Sequence, residues 1–305
     1  MVGPGALGCL LAARLHLAGA GPALLDHDPA RAALLNRQGI ILAEAGGVNP
    51  AAVVPVSTDP ATVGGADLVL LCVKAPALNS ALDAIAPLLP PSSLLLALQN
   101  GISHLEILSA RKLPCAWALG VSTEGANLQG PGRVRSGGAG LTELGFVQPP
   151  TPAADQLLNA TVALLNRAGL RAARHPEIIG RLWRKLIINC GINALTVIHD
   201  CPNGRLLEIP AARRAMAAAV REAAAVAAAS GINLPDDPVA LTEAICRQTA
   251  TNISSMLQDI RQGRATEIMA INGEIVRRAG QLGLATPVNL ELLTAAQLHH
   301  RSPTR

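Results

Sequence analysis

Lys185, Asn189 and Asn193 stand at i, i+4 and i+8 in an apolar run that reads as a helix. At that spacing they drift only about 40° per step, so one ammonium and two carboxamides form a single polar ridge. Leu186, Ile187, Ile188, Ile192 and Leu195 cover the other faces. Asparagine is a mediocre helix former, and amides half buried beside isoleucines need partners. The bland alternative is a solvated amphipathic stripe, but the apolar residues wrap too far round for a surface helix, which points to a functional face. A second group of residues bears on phosphate. Gly3-Pro4-Gly5-Ala6-Leu7-Gly8 is a G-x-G-x-x-G run opening an apolar helix that is expected to last to about Ala18. The first glycine allows a tight turn, the second lets backbone approach a pyrophosphate, and the third lets helix and strand pack closely.

These groups need particular elements to position them. A second strand, Pro22 to Leu25, ends in Asp26, about where a ribose-reading residue is expected in a βαβ unit. The continuous apolar runs Val69 to Val73 and Leu94 to Leu98 predict buried parallel strands, one over Ala66 to Val73 leading into Lys74 and one leading into Gln99-Asn100-Gly101. Gly64-Gly65 and Pro90-Pro91 separate them as turns. Asn100 thus falls at a strand's carboxyl end, the edge where open α/β sheets bind ligands. Only Met1 and Val2 precede Gly3, whereas a central strand needs roughly five residues. That shortfall predicts a start inside a longer reading frame or a trimmed chain, and neighbouring strands left without partners.

The Gly- and Pro-rich segment 125–149 is expected to form an antiparallel hairpin closing the domain, followed by a helix over 153–168 and a last strand over 170–174. Past Pro176 helical patterns dominate: Ile178 to Thr196, Ala211 to Ser230, Pro238 to Ile260, Thr266 to Leu282 and Asn289 to His299. Thr266 is expected to cap its helix with Glu267 in the first turn, where the dipole favours a carboxylate. The fold class is therefore an α/β N-terminal Rossmann-type dinucleotide-binding domain (1–175) followed by an all-α C-terminal domain (176–300), with 301–305 as a disordered tail.

Composition narrows the function classes. The chain has 305 residues, 50% of them hydrophobic, enough for two cores. With one Phe, two Trp, no Tyr and a net charge of only +4, spread along the chain, no platform for stacking bases exists and nucleic acid is not an expected partner. No apolar run approaches a membrane span, and no signal-type start opens the chain. Six cysteines show no C-x-x-C pair and no His at zinc spacing, and Cys9 and Cys72 fall in apolar segments as small hydrophobes, which predicts no metal site and a cytoplasmic setting. Exposed apolar faces in the Ala211–Ser230 region would permit a homodimer.

Taken together these residues resemble the ketopantoate reductase (2-dehydropantoate 2-reductase) family, NADPH-dependent enzymes of pantothenate synthesis. The likeness runs from Gly3 to about Asn289. Its parts are the glycine run, Val73-Lys74-Ala75, Gln99-Asn100-Gly101, Leu182-Trp183-Arg184-Lys185-Leu186, Asn193 and Cys201-Pro202-Asn203-Gly204. Asn252 through Asp259, Thr266-Glu267-Ile268 and Ile271-Asn272-Gly273 complete it. The resemblance implies a site in the cleft between the two domains, with Lys185 as the acid that protonates a 2-oxo acid's ketone oxygen and Glu267 beside it. It implies Asn189, Asn193, Asn203 and Ser255 as substrate ligands, Ser255 near the carboxylate. It implies Gly3, Pro4, Gly5, Ala6, Leu7, Gly8, Lys74, Asn100, Ala126 and Glu267 as contacts of NADP(H). One departure stands out. The family usually carries a basic residue after the second strand, whereas this chain reads Asp26-His27-Asp28. An acid there accepts a ribose hydroxyl and repels a phosphate, so NAD(H) is the alternative, with His27, Arg31 and Lys74 as the cations that could still favour NADP(H). Rival readings are a reductase of another branched 2-oxo acid or an imine, and a catalytically silent dinucleotide-binding protein.

Overall fold

The computed structural model describes residues 1–44, 47–48, 51–63, 65–138, 140–234 and 236–301. Gly64 and residues 302–305, which carry part of one expected turn and most of the expected tail, lie outside them. The chain divides into two compact units: Met1–Gln99 with His104–Ile178, and Asn100–Ser103 with Ile179–Arg305.

The N-terminal unit is a sheet of mainly parallel strands with helices. Its strands run in the order Ala172–Arg174, Thr142–Gly145, Ala116–Ser122, Leu94–Ala97 and Leu68–Leu71, of which Leu94–Ala97 is a fully buried apolar run. Thr142–Gly145 is antiparallel to Ala116–Ser122, and the other neighbours are parallel. Leu24–Leu25 pairs in parallel with Val56–Ser57. Between Leu25 and Leu71 lies Val2, bridged in parallel to both. The expectation of partnerless neighbours is corrected here. Val2 N–H donates to Leu70 O and Cys72 N–H to Val2 O, at 2.9 and 2.8 Å, while Leu25 N–H donates to Met1 O and Gly3 N–H to Leu25 O, at 2.7 and 3.0 Å. Three residues therefore make the bonds that carry the sheet past the first glycine.

The 125–149 segment divides its strands between two sheets. Ala126–Gly130 and Arg133–Ser136 form the expected hairpin, but they join Ile41–Glu44 and Gly47–Val48 in a second sheet, while Thr142–Gly145 joins the main one. The Ala6–Leu17 helix serves both. Cys9, Leu10, Ala12 and Ala13 pack with Leu42 and Val134, and Leu11 and Leu15 pack with Leu70, Leu94 and Leu96.

The C-terminal unit is helical: Ile178–Ile198, Arg205–Glu208, Pro210–Ala229, Pro238–Gln248, Ser255–Arg261, Asn272–Leu282 and Pro287–Arg301. Two expected helices are broken. The run Pro238 to Ile260 stops at Gln248 and restarts at Ser255, because Asn203 and Gly204 N–H donate to the Asn252 and Ala250 carbonyls, at 3.0 Å each, and draw that backbone out of helix. Thr266 does not cap a helix. A 3-10 turn, Ile268–Ala270, follows Glu267, and the α-helix begins at Asn272. In Pro210–Ala229 the large side chains Met216, Val220 and Val226 turn inward, leaving mostly alanine and arginine outside.

A buried polar network crosses this unit. Asn272 Nδ2 donates to Cys190 O and Asn289 Oδ1, at 3.1 and 3.0 Å, and both asparagines have no exposed surface. Asn289 Nδ2 donates to Ala219 O and Glu222 Oε2, and Glu222 accepts the Val288 and Asn289 N–H groups at 2.9 Å each. Glu222 thus satisfies the start of the Pro287–Arg301 helix from a neighbouring helix. Glu222→Ala removes three hydrogen bonds and leaves the Val288 and Asn289 N–H groups without acceptors, which costs about 2 kcal/mol or more at 1–3 kcal/mol each. A thermal melt reads this as a fall in Tm; an unchanged melt would show that water replaces the carboxylate at no cost.

Candidate active site

The Ile178–Ile198 helix carries the polar ridge. Trp183, Leu186, Ile187, Cys190, Ile192 and Leu195 bury its other sides, and the Arg278 guanidinium lies 5.6 Å above the Trp183 ring. Lys185 and Asn189 are half-buried and Asn193 is buried. The sequence-predicted stripe is therefore present, with its Asn193 end sunk deepest. Burial lowers the Lys185 pKa from 10.5 to about 8, against the opposing attraction of Glu267. Near neutral pH the group is still an ammonium, yet close to releasing its proton, as a general acid must be.

Glu267 is 9% exposed, and its Oε2 accepts the Asn100 Nδ2 at 2.8 Å. The geometry behind this bond is a close approach of two turns. Gly101 has φ +80°, and a Cβ there would stand 2.3 Å from the Ala270 carbonyl oxygen. Only glycine lets the Asn100 turn press onto the Ile268–Ala270 turn that follows Glu267. Asn100, Lys185 and Glu267, separated widely in sequence, thus belong to one electrostatic group.

The remaining expected ligands are held by backbone and hydroxyl bonds. The Thr196 hydroxyl donates to Asn193 O at 2.8 Å and lies 2.6 Å from the Ser254 hydroxyl, whose oxygen caps the Ser255–Arg261 helix through Leu257 N–H. Ser254 ties the start of that helix to the Lys185 helix, and Ser255 beside it is exposed. Asn203 is buried. Its Nδ2 donates to Thr249 Oγ1 at 2.9 Å, while its Oδ1 has no hydrogen-bond partner among the described residues.

In the N-terminal unit the glycine run is tightly folded. Gly3 has φ +100°, with Val73 within 3 Å of where a Cβ would stand, and a Cβ on Gly8 would lie 2.0 Å from Gly3 O. Gly5, by contrast, is exposed, has nothing closer than 4.0 Å, and stands before the Ala6–Leu17 helix with no side chain capping it. Pro4, Ala6 and Leu7 complete this turn. An uncapped helix start behind an open glycine is a fit for a phosphate. Beside it a cavity of about 340 Å³ is lined by Gly3, Asp26, Val73, Ala77, Ala81 and Ala84, among others. Lys74 follows Val73 in extended backbone, and Ala126 packs against the Cys9 and Val134 cluster.

The sequence places Gln99 in a motif but assigns it no role. This buried amide donates to Leu71 O and Val73 O at 2.9 and 3.2 Å, so it holds the backbone that forms the cavity wall. Its position at a strand's carboxyl end, next to Asn100, was the available signal. Also unforeseen was the closure of Asp26: Arg31 Nε donates to its Oδ2 at 2.7 Å and Arg31 Nη2 to its Oδ1. Among the described residues no His, Cys, Asp and Glu group could hold a metal, and no helix is long and apolar enough to cross a membrane. All six cysteines are free thiols.

Comparison with known proteins places this geometry. Residues 1–149 match the family model "Ketopantoate reductase PanE/ApbA", and residues 177–300 match its C-terminal counterpart. A 2-dehydropantoate 2-reductase of Halobacterium salinarum is 31% identical over 98% of this chain and 97% of its own length. One from Vibrio cholerae is 34% identical over 96% and 94%. A PanE/ApbA family ketopantoate reductase from Ralstonia eutropha superposes with a TM-score of 0.87 at 34% identity, covering 98% of each chain. A D-mandelate dehydrogenase solved with NADH and anilino(oxo)acetate gives 0.87 at 28% identity, also covering 98% of each. With both halves matched by family models and relatives aligned over nearly its full length, the chain is a member of the ketopantoate reductase family.

Proposed function

We propose that this chain reduces 2-dehydropantoate to (R)-pantoate with a reduced nicotinamide dinucleotide, as a step of pantothenate synthesis. The observation that carries the reading is Lys185: an ammonium drawn by burial to a pKa of about 8, facing the charge of a buried Glu267 that Asn100 also binds. The bound dinucleotide supplies the hydride that reaches C2. Lys185 Nζ donates its proton to the ketone oxygen as negative charge develops there, and solvent afterwards restores it. Glu267 keeps that ammonium protonated in a setting that would otherwise expel the proton. Asn189, Asn193, Asn203 and Ser255 bind the substrate through neutral donors, which hold a carboxylate without quenching Lys185. Asn203 Oδ1, buried and unpaired, suits a substrate hydroxyl. For the dinucleotide, the Gly3–Gly8 turn holds the pyrophosphate, and Lys74, Asn100, Ala126 and Glu267 complete the contacts. Six free thiols suit a cytoplasmic setting.

The fold likeness to D-mandelate dehydrogenase favours a second reading, in which the 2-oxo acid carries an aryl-type group. Following the nicotinamide absorbance with ketopantoate and with phenylglyoxylate decides between them. Higher kcat/KM on ketopantoate supports the first; faster turnover of the aryl acid supports the second. Dinucleotide binding without turnover of any 2-oxo acid would leave a silent binding protein.

A further inference from the structure

The cavity of about 340 Å³ beside Gly3 lies at the carboxyl ends of Leu24–Leu25 and Leu68–Leu71, where a dinucleotide's adenosine binds in a sheet of this kind. Ala77, Ala81 and Ala84 give it an apolar wall, and Asp26 and His27, which follow Leu24–Leu25, line it as well. Among the described residues that line it there is no lysine or arginine; neither Lys74 nor Arg31 takes part.

Two devices nearby could hold an added phosphate, and both are already engaged. The first is the Arg31 guanidinium, which binds both oxygens of Asp26, a side chain with 0% exposure. The second is the start of the Pro29–Gln38 helix, whose Ala30 and Arg31 N–H groups donate to Asp28 Oδ1 at 2.9 and 3.1 Å. The Asp28 N–H in turn donates to Asp26 Oδ1 at 3.1 Å, which joins the two carboxylates in one assembly. His27, the basic side chain among the described lining residues, lies 3.6 Å from the same Asp26 oxygen. The Arg31 N–H bond, foremost, holds the Asp28 carboxyl below its ordinary range, and the Asp26 bond holds the Arg31 guanidinium above its own.

We infer that Asp26 and Asp28 make this pocket select a dinucleotide with an unphosphorylated adenosine ribose, NAD(H) rather than NADP(H). The inference rests on the dinucleotide reading above. Asp26 is closed off from solvent, so it acts as a positioning residue, by its charge and by holding Arg31. A 2′-phosphate brings about 1.5 to 2 negative charges beside two carboxylates whose cations are spent. A 2′-hydroxyl brings none, and a neutral group meets no such repulsion.

Calorimetric titration of the full chain with NADH, NADPH, 5′-AMP and 2′,5′-ADP reads this selectivity without turnover. The expected result is binding of NADH and 5′-AMP at least about tenfold tighter than their phosphorylated counterparts. Asp26→Asn keeps the shape and one bond to Arg31 while removing the charge. It is expected to narrow the ratio severalfold, mainly by improving NADPH binding. Asp28→Asn, whose amide oxygen can still cap the Pro29–Gln38 helix, serves as a second variant with the same expectation. Equal affinities, or tighter NADPH, overturn the selectivity and leave the dinucleotide reading standing. Failure of all four ligands to bind overturns that reading, and the selectivity with it. A preference for NADH that neither variant alters overturns the assignment to these carboxylates.

Discussion

Replacing Lys185 by alanine is expected to lower kcat about a thousandfold or more with ketopantoate, while dinucleotide affinity changes little. The variant keeps every residue proposed to hold the dinucleotide and removes the proton that must reach the ketone oxygen. A thousandfold corresponds to roughly 4 kcal/mol of transition-state stabilisation, within what a positioned acid with its charge supplies. Retention of a tenth of the wild-type kcat would sink the role. The same lysine sets a pH profile. Because burial brings its pKa to about 8, kcat/KM should fall as pH rises through that value and the ammonium is lost. Stability runs the other way. The folded chain holds this proton less tightly than an unfolded lysine at 10.5, so folding stability is lowest below about 8 and climbs between the two values. Lys185→Met removes the buried charge, whose cost is roughly 3 kcal/mol from the same difference. A higher Tm at pH 7 with activity lost is therefore expected, and a lower Tm would show that the ammonium is fully compensated in the fold.

Among the described glycines, Gly8→Ala meets the closest backbone atom and is expected to be severely damaging. Its Cβ would stand 2.0 Å from the Gly3 carbonyl oxygen, a backbone atom that cannot rotate away. Relief requires moving Gly3, which has room for no Cβ against Val73 and donates its N–H to Leu25 O at 3.0 Å. The pair of contacts transmits the shift into the short Met1–Gly3 segment that bridges the sheet. Destabilisation of about 3 kcal/mol or more is expected, together with loss of measurable dinucleotide binding. Gly5→Ala serves as the control, since nothing lies nearer than 4.0 Å there and its backbone does not need positive φ. It should fold normally and weaken only the ligand's approach. Equal melting temperatures for Gly8→Ala and wild type would mean the helix tilts freely away from the turn.

Local patterns alone reached a good part of this protein. The G-x-G-x-x-G spacing, the apolar runs over Leu68–Leu71 and Leu94–Ala97, and the Lys185, Asn189 and Asn193 ridge depend only on neighbours within a few turns of chain. Periodicity and glycine chemistry encode such features directly, so they can be read without a fold. What stayed hidden arises between distant segments. The Pro238 to Ile260 pattern is helical throughout, yet Asn203 and Gly204 capture the Asn252 and Ala250 carbonyls and break it. Glu267 reads as a helix-start carboxylate, and only the meeting of its turn with Asn100 and Gly101 makes it a buried partner. Asp26 reads as a ribose ligand in sequence, whereas packing closes it against Arg31. The residue types and their local periodicity were determined by the sequence itself. Which polar groups are buried, which charges are spent on one another, and what pKa Lys185 adopts were decided by tertiary structure, because desolvation and pairing exist only once remote segments enclose the same space.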